Sequence, residues 1–161
     1  MKLNADPRAL HERYVARMRE SAKTDAQEEA RFRNTLLDFE DPALVKRTAD
    51  AIFTDLIREQ DRMVLYLRML GLRHAREIGW PVLRDAWDAR VARADPYTKQ
   101  SGVNAVGQLT PRRLADEAIA FLQAKRTPEI KETVAHASER IRIRSANAER
   151  MAAELGKALG R

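Results

Sequence analysis

The stretch 39–70 constrains the fold most, because it carries two adjacent helix patterns. Asp41 can cap a helix that starts at Pro42, whose ring already fixes φ and which has no amide to leave unsatisfied. Apolar residues then follow at helical spacings of four and three, at Val45, Ala49, Ile52 and Leu56. After Asp61, the run 63–70 is apolar nearly all round, which suits a helix enclosed by neighbours. We expect an amphipathic helix followed by a central, buried one.

Prolines mark most of the other predicted helix starts. Pro81 lies inside an otherwise helical segment, where it predicts a kink or a helix that restarts there. Thr24, with Gln27 three residues on, forms a capping box and predicts a further start. The segment 95–102 is dense in turn-forming residues and predicts a mobile loop. The other five prolines each follow a capping residue, at Asp6-Pro7, Asp41-Pro42, Asp95-Pro96, Thr110-Pro111 and Thr127-Pro128.

The periodic segments predict helices and no strand. The last helix is the longest, and its apolar seam runs over about four heptads with only Arg144 breaking it. Short breaks between helices, and one helix that is apolar all round, are typical of stacked helical pairs. The predicted fold class is all-α, an irregular α-solenoid of about eight antiparallel helices of the HEAT or armadillo kind, in a single domain 1–161. The helices are expected at roughly 7–22, 25–38, 42–56, 60–72, 75–94, 103–109, 111–125 and 128–158.

Composition narrows the function classes. The chain has no cysteine, which excludes disulfides and thiolate zinc sites. The start 1–4 has no apolar signal core, and no run approaches the roughly 18 apolar residues of a membrane span, so we expect a soluble, cytoplasmic protein. The net charge of +6 allows weak attraction to nucleic acid. Basic and acidic residues alternate along the helices, however, as they do on solvated faces.

No pattern in the sequence predicts catalysis. Helical zinc peptidases need two histidines one turn apart with a glutamate beside the first, and His11, His74 and His136 form no such pair. The nearest approach to a metal half-site is His136 with Glu139. No serine lies in a nucleophile elbow, and no glycine signature for phosphate binding occurs. We expect neither peptidase activity nor stoichiometric zinc in this chain.

Three polar residues are predicted to serve the fold. Gln60 and Asp61 begin the buried helix, where a carboxylate complements exposed amides. Arg47 lies on the preceding helix, within reach of Asp61. We therefore predict that Arg47 and Asp61 form a pair.

Arg144 leaves two alternatives open. A buried guanidinium needs a partner, and Asp116 and Glu117 of the preceding helix are candidates. Otherwise the seam opens at Arg144 into a groove, where Arg144 and Arg140 would contact a peptide carboxylate. The second alternative makes these two arginines candidate peptide-binding residues.

Four stretches, in this order, carry a resemblance to a known family. They are FEDPALVKRT at 39–48, IREQD at 57–61, GWPVLRDAWDARV at 79–91 with Trp80 and Trp87, and FLQAKRTP at 121–128 followed by SERIR at 138–142. Together they resemble the C-terminal helical domain of the zinc aminopeptidases related to aminopeptidase N, puromycin-sensitive aminopeptidase and the endoplasmic-reticulum aminopeptidases. The likeness covers about residues 25 to 150. The chain departs from the family where relatives tend to carry an asparagine and a tryptophan, at about Arg144 and Asn147.

The resemblance implies a noncatalytic domain. In that family the catalytic domain lies upstream and holds the zinc, and the helical domain closes over the active site like a bowl. This chain would then wall the substrate chamber and limit peptide access, with no cofactor of its own. Its partners would be the catalytic domain of a parent enzyme and the peptide substrate, and it would be a fragment of a larger solenoid. Alternatives are a basic helical module that binds an acidic protein or nucleic acid, and a homodimer formed through the last helix.

Overall fold

The structure, a computed structural model, describes residues 6–160, and every regular element in that range is helical. This confirms the all-α prediction, whereas the superhelical stacking stays a prediction. Residues 1–4, on which the expected lack of a signal core depended, lie outside the described range. The helices are α1 (Pro7–Ser21), α2 (Ala26–Thr35), α3 (Pro42–Ala51), α4 (Glu59–Gly71), α5 (Arg76–Ala86), α6 (Pro96–Val106), α7 (Arg112–Ala124) and α8 (Lys131–Ala158).

The chain divides into two compact units, with the boundary between Asp85 and Ala86. The first unit contains α1 to α4, a 3-10 turn (Leu36–Asp38) and nearly all of α5. The second unit contains a π-helical turn (Trp87–Val91), α6, α7 and α8. A single domain over the whole chain stays a prediction.

Aspartates cap the helices much as the sequence predicts. Asp6, Asp41 and Asp95 are the N-caps of α1, α3 and α6, each followed by the proline. The cap of α2 differs from the prediction. Asp25, rather than Thr24, accepts hydrogen bonds from the backbone amides of Gln27 and Glu28, at 2.9 and 3.0 Å. Aspartate is the better N-cap, and its charge also suits a helix N-terminus. The capping-box prediction at Thr24 was therefore wrong by one residue.

The segment 95–102 is helical, so the predicted loop is wrong. It forms the start of α6, where Asp95 accepts hydrogen bonds from both the amide and the hydroxyl of Thr98, at 3.1 and 2.6 Å. Gly102 allows close packing rather than a turn. A Cβ at this position would lie 2.8 Å from a methyl group of Val91 and 3.2 Å from the Trp87 ring. Glycine is therefore what lets α6 approach the π-helical turn.

Helix α5 runs through Pro81 without a restart, contrary to one of the two predicted outcomes. The departure from α-helical geometry comes later, in the π-helical turn that begins at Trp87. Trp80 and Trp87 are both buried in the core.

Helix α4 is buried on one side only. Tyr66 is fully buried and donates a hydrogen bond to the carbonyl of Ala49 in α3 at 2.9 Å. Burial, with a smaller effect from Asp50, raises the pKa of Tyr66 far above its ordinary value. Val64 and Leu67, however, are 56% and 36% exposed. The expectation that α4 is enclosed all round is therefore wrong, and its exposed side carries these two apolar residues.

The apolar seam of α8 is covered over its first half. The helix packs against both α6 and α7. Its seam residues are buried at Ile130, Val134, Ala137 and Ile141, and exposed at Arg144, Ala148, Met151, Leu155 and Ala158. The seam predicted from spacing is therefore a core contact only as far as Ile141.

A buried charge cluster joins α2 to α4 in the first unit. Nη1 of Arg33 donates to both carboxylate oxygens of Glu29, at 2.9 and 3.1 Å, and to Asp61 at 2.7 Å. The side chains of Arg33 and Glu29 are only 12% and 6% exposed. We call these three residues the Arg33 cluster. Because the cluster is largely shielded from water, each charge depends on its partners.

The predicted Arg47–Asp61 pair does not form. Asp61 lies in the first turn of α4, as expected, but its cation is Arg33 of α2. Arg47 instead pairs with Glu12 of α1 at 3.2 Å, and both side chains are more than half exposed. Gln60 is exposed. Spacing along the chain could not show that α2 rather than α3 faces the start of α4.

We predict that Arg33→Met destabilises the protein by about 3–5 kcal/mol, because it removes the cation shared by two carboxylates in a shielded site and leaves Glu29 to the longer contact with Arg58 at 3.8 Å. Arg47→Met is the control, since an exposed ion pair contributes only about 0–1 kcal/mol. Urea denaturation followed by circular dichroism measures both. Equal unfolding midpoints for the two variants would contradict the structural role of the cluster.

Two glycines provide a second test of packing. Gly102→Ala should cost about 1–3 kcal/mol by overpacking against Val91 and Trp87. Gly71→Ala meets nothing within 4 Å, so it should be neutral or stabilise by up to about 1 kcal/mol through the unfolded state. Thermal unfolding against the parent should show a loss of stability in Gly102→Ala and none in Gly71→Ala. A destabilised Gly71→Ala with an unaffected Gly102→Ala would contradict the described packing.

Candidate functional site

Two arginines of α8 are held by neutral amide side chains. Arg140 donates to Oδ1 of Asn104 at 2.9 Å, and Arg144 donates to Oε1 of Gln108 at 2.7 Å. Arg140 and Arg144 are four residues apart, and so are their partners Asn104 and Gln108. The second pair therefore lies about one helical turn beyond the first. We call them the arginine–amide pairs. Amides fix the position of a guanidinium without neutralising its charge, so both cations stay available to an anion.

The end of α6 packs closely against α8 beside the arginine–amide pairs. Gly107 follows the helix and is buried. A Cβ there would lie 3.4 Å from the methyl of Ala137 and 3.5 Å from the guanidinium carbon of Arg140. These are ordinary van der Waals distances, so the end of α6 lies directly against α8, with Arg140 beside it. This close approach brings Asn104 and Gln108 within hydrogen-bond distance of α8.

Arg144 does not form the internal carboxylate pair offered as one alternative. It is exposed and bound to Gln108 rather than to Asp116 or Glu117, and Asp116 pairs with Arg112 at 3.2 Å. Because water solvates an exposed guanidinium, no desolvation penalty forces a carboxylate partner. The internal pair is therefore wrong, whereas a groove in which Arg144 and Arg140 contact a peptide stays a prediction.

A groove between α7 and α8 also carries arginines, but these are ion-paired. It has a volume of about 550 Å³, and its apolar lining includes Ala115 and Ile119. Arg112 at one side contacts Asp116 and Glu149, and Arg142 on α8 contacts Glu139 at 3.7 Å. Carboxylates thus already compensate the cations of this groove. The arginine–amide pairs are the better candidate for binding an anion.

A cleft in the first unit offers no preferred ligand charge. It has a volume of about 650 Å³ and includes Glu29 of the Arg33 cluster. Its charged lining comprises Arg19, Lys23 and Arg58 on the basic side, and Glu20, Glu29 and Asp55 on the acidic side. Equal numbers of cations and anions favour neither an anionic nor a cationic ligand.

The residues of this chain do not fit a zinc ion. His136 is exposed, and Glu139, its neighbour one turn on, contacts Arg142 instead. Over residues 6–160, no group of three or more histidine, aspartate or glutamate side chains is arranged to hold a metal. None of the helices described there is long and apolar enough to span a membrane.

Sequence reasoning found the two arginines but missed their partners. Asn104 and Gln108 share the four-residue spacing of Arg140 and Arg144, which was the available signal. The predicted helix at 103–109 already contained both residues, but nothing in the local sequence showed that it packs against α8.

Comparison with known proteins adds no relative. No protein-family model matches the sequence, and no curated protein is significantly similar to it. The resemblance to aminopeptidase domains therefore depends on the quoted motifs.

We predict that Arg144→Met leaves the melting temperature close to that of the parent, with a loss below about 1 kcal/mol, because the side chain is exposed. Thermal unfolding measures this directly. A loss of about 3–5 kcal/mol would instead indicate an internal carboxylate partner and would contradict the open position described here.

Proposed function

We propose that this chain is a noncatalytic helical domain of a zinc aminopeptidase, which walls the substrate chamber and limits the access of peptides. Arg140 and Arg144 would contact the peptide. The observation that carries the proposal is the order of four motif stretches that resemble the C-terminal domain of that family.

The positions of the motif residues support a scaffold role. Asp41 caps α3, and Asp61 belongs to the Arg33 cluster. Trp87 is buried and contacts the ring of Phe121 edge to face, with 5.3 Å between the ring centroids. Residues that cap helices and fill a core are what such a domain needs in order to hold a rigid wall.

The chemistry of the arginine–amide pairs supports a peptide-binding role. A guanidinium presents several N–H donors in a plane, and a carboxylate can accept two of them at once. Asn104 and Gln108 already fix one N–H donor of Arg140 and one of Arg144, which reduces the conformational entropy lost on binding. A peptide with an acidic residue or a free C-terminal carboxylate fits this arrangement.

A basic module that binds nucleic acid is the competing proposal, since two uncompensated guanidiniums also suit phosphate. Phosphate binding loses affinity steeply as salt rises from about 50 to 200 mM, because counterions are released. A chamber wall should bind little nucleic acid at physiological salt. Fluorescence anisotropy of the chain with mixed-sequence DNA and RNA, over that salt range, separates the two proposals.

The direct test uses the protein encoded by the full reading frame that contains this chain. We expect zinc-dependent removal of N-terminal residues from peptides, with rates that depend on peptide length. Arg140→Gln together with Arg144→Gln should raise KM for a peptide with a free C-terminus by roughly five- to tenfold, about 1 kcal/mol of binding. The same peptide with an amidated C-terminus is the matched control and should be affected much less.

Two results would reject the proposal. If the protein encoded by the full reading frame has no aminopeptidase activity, this chain does not belong to such an enzyme. If the double variant raises KM equally for the free and the amidated peptide, the two arginines do not bind the C-terminal carboxylate. Arg112→Gln, which alters an ion-paired arginine of the α7–α8 groove, controls for a general loss of positive charge.

A further inference from the structure

His11 is buried between helices of the first unit. It lies in α1 and is 1% exposed. Its Nε2 is 3.0 Å from the hydroxyl oxygen of Thr48 in α3, and the edge of its ring meets Phe39, with 5.1 Å between the ring centroids. A titratable ring thus lies inside the contact between α1 and α3.

The hydrogen bonds around Thr48 determine which tautomer is present. The Thr48 hydroxyl is 3.4 Å from the carbonyl oxygen of Leu36, which can only accept. This arrangement favours a hydroxyl that donates to Leu36 and accepts from Nε2–H of His11, because the other tautomer would leave a buried N–H donor at Nδ1. This leaves Nδ1 without a proton, and Nδ1 is buried with no hydrogen-bond partner. The neutral imidazole thus leaves one buried acceptor, Nδ1, without a partner, whereas the protonated ring would leave a charged donor without an acceptor.

The charged groups near the ring do not favour its protonation. Burial and then Arg47 of α3 lower the pKa of His11, and Glu12 of α1 partly opposes them. Arg47 and Glu12 pair with each other at 3.2 Å, so the carboxylate is already engaged. Both side chains of this pair are more than half exposed, so the pair itself adds little to the contact between α1 and α3.

We propose that the His11–Thr48 contact is an acid-sensitive link that holds α1 on α3 and opens when the imidazole is protonated. A proton on Nδ1 would place a second donor, and a positive charge, at a buried atom that has no hydrogen-bond acceptor. Burying an unpaired charge is costly. With a protonated ring, the form in which the helices separate and the ring is exposed to water therefore has the lower free energy. This inference is independent of the proposed function.

The sign of the pH effect follows from linkage. The folded pKa is below the unfolded value of about 6.5, so the open form binds the proton more readily. The contact is fully stable above about pH 6.5 and weakens progressively as the pH falls from there through the lowered pKa. Acid therefore opens the contact, and base does not.

The test measures the separation of α1 and α3 in the full chain. The natural sequence has no cysteine, so Arg13→Cys and Lys46→Cys, at exposed positions of α1 and α3, attach a donor and an acceptor fluorophore without background labelling. Energy transfer should fall between about pH 7.5 and 5. His11→Gln places an amide nitrogen near the position of Nε2 but does not titrate, so it should abolish the change. His136→Gln, at an exposed histidine of α8, should leave the change intact.

The parent protein provides a measurement that does not depend on how well the variant folds. The ring signals of His11 in NMR should show Nε2–H at neutral pH, and their titration should coincide with the loss of energy transfer. Energy transfer that stays constant over this pH range, or an equal change in His11→Gln, would overturn the proposal. A ring that titrates while the helices stay together would overturn it as well.

Discussion

The guanidinium of Arg33 bridges two helices of the first unit. It binds carboxylates from α2 and α4 in a site with little access to water, so separating the helices would strand charges. Other buried polar contacts extend the connection, because Tyr66 of α4 binds the backbone of α3 and His11 of α1 binds Thr48 of α3. Apolar burial supplies most of the favourable free energy, while these polar contacts select one arrangement of the helices.

Arginines have a different role in the second unit. Arg140 and Arg144 bind amides, so their charges are held in place but are not compensated. The contrast with Arg33 depends on the partner and on access to water, rather than on residue type. An arginine between carboxylates stabilises a fold, whereas an arginine bound to a neutral amide can still bind an anionic ligand. This difference is the physical basis for placing the candidate peptide contact on α8.

The sequence predicted the features that depend on neighbouring residues. The aspartate–proline pairs at Asp6, Asp41 and Asp95 are N-caps, and the long period of α8 forms a helix, because capping and periodicity act over a few residues. Trp80 and Trp87 are in the core, as large aromatics in an apolar pattern should be.

The caps predicted at Thr24, Thr110 and Thr127 failed locally, because Asp25, Pro111 and Ile130 are the N-caps instead. The failures in pairing and packing have another cause, which is contact between elements distant in sequence. Asp61 pairs with Arg33, 28 residues away, instead of Arg47, which is closer in sequence. Gly102 was interpreted as a turn residue because nothing local shows that Trp87 and Val91 lie against it. The partners of Arg140 and Arg144 are each 36 residues away, so spacing within α8 could not reveal them.

The central claim is that a peptide reaches α8 in a parent aminopeptidase, and photolabelling tests it most directly. A peptide with a photoreactive group at its free C-terminus would be bound to the protein of the full reading frame, irradiated and mapped by mass spectrometry. We predict labelling in α6 and α8, at residues close to Asn104, Gln108, Arg140 and Arg144, and competition by unlabelled substrate. An active enzyme in which the peptide labels neither helix would contradict the account.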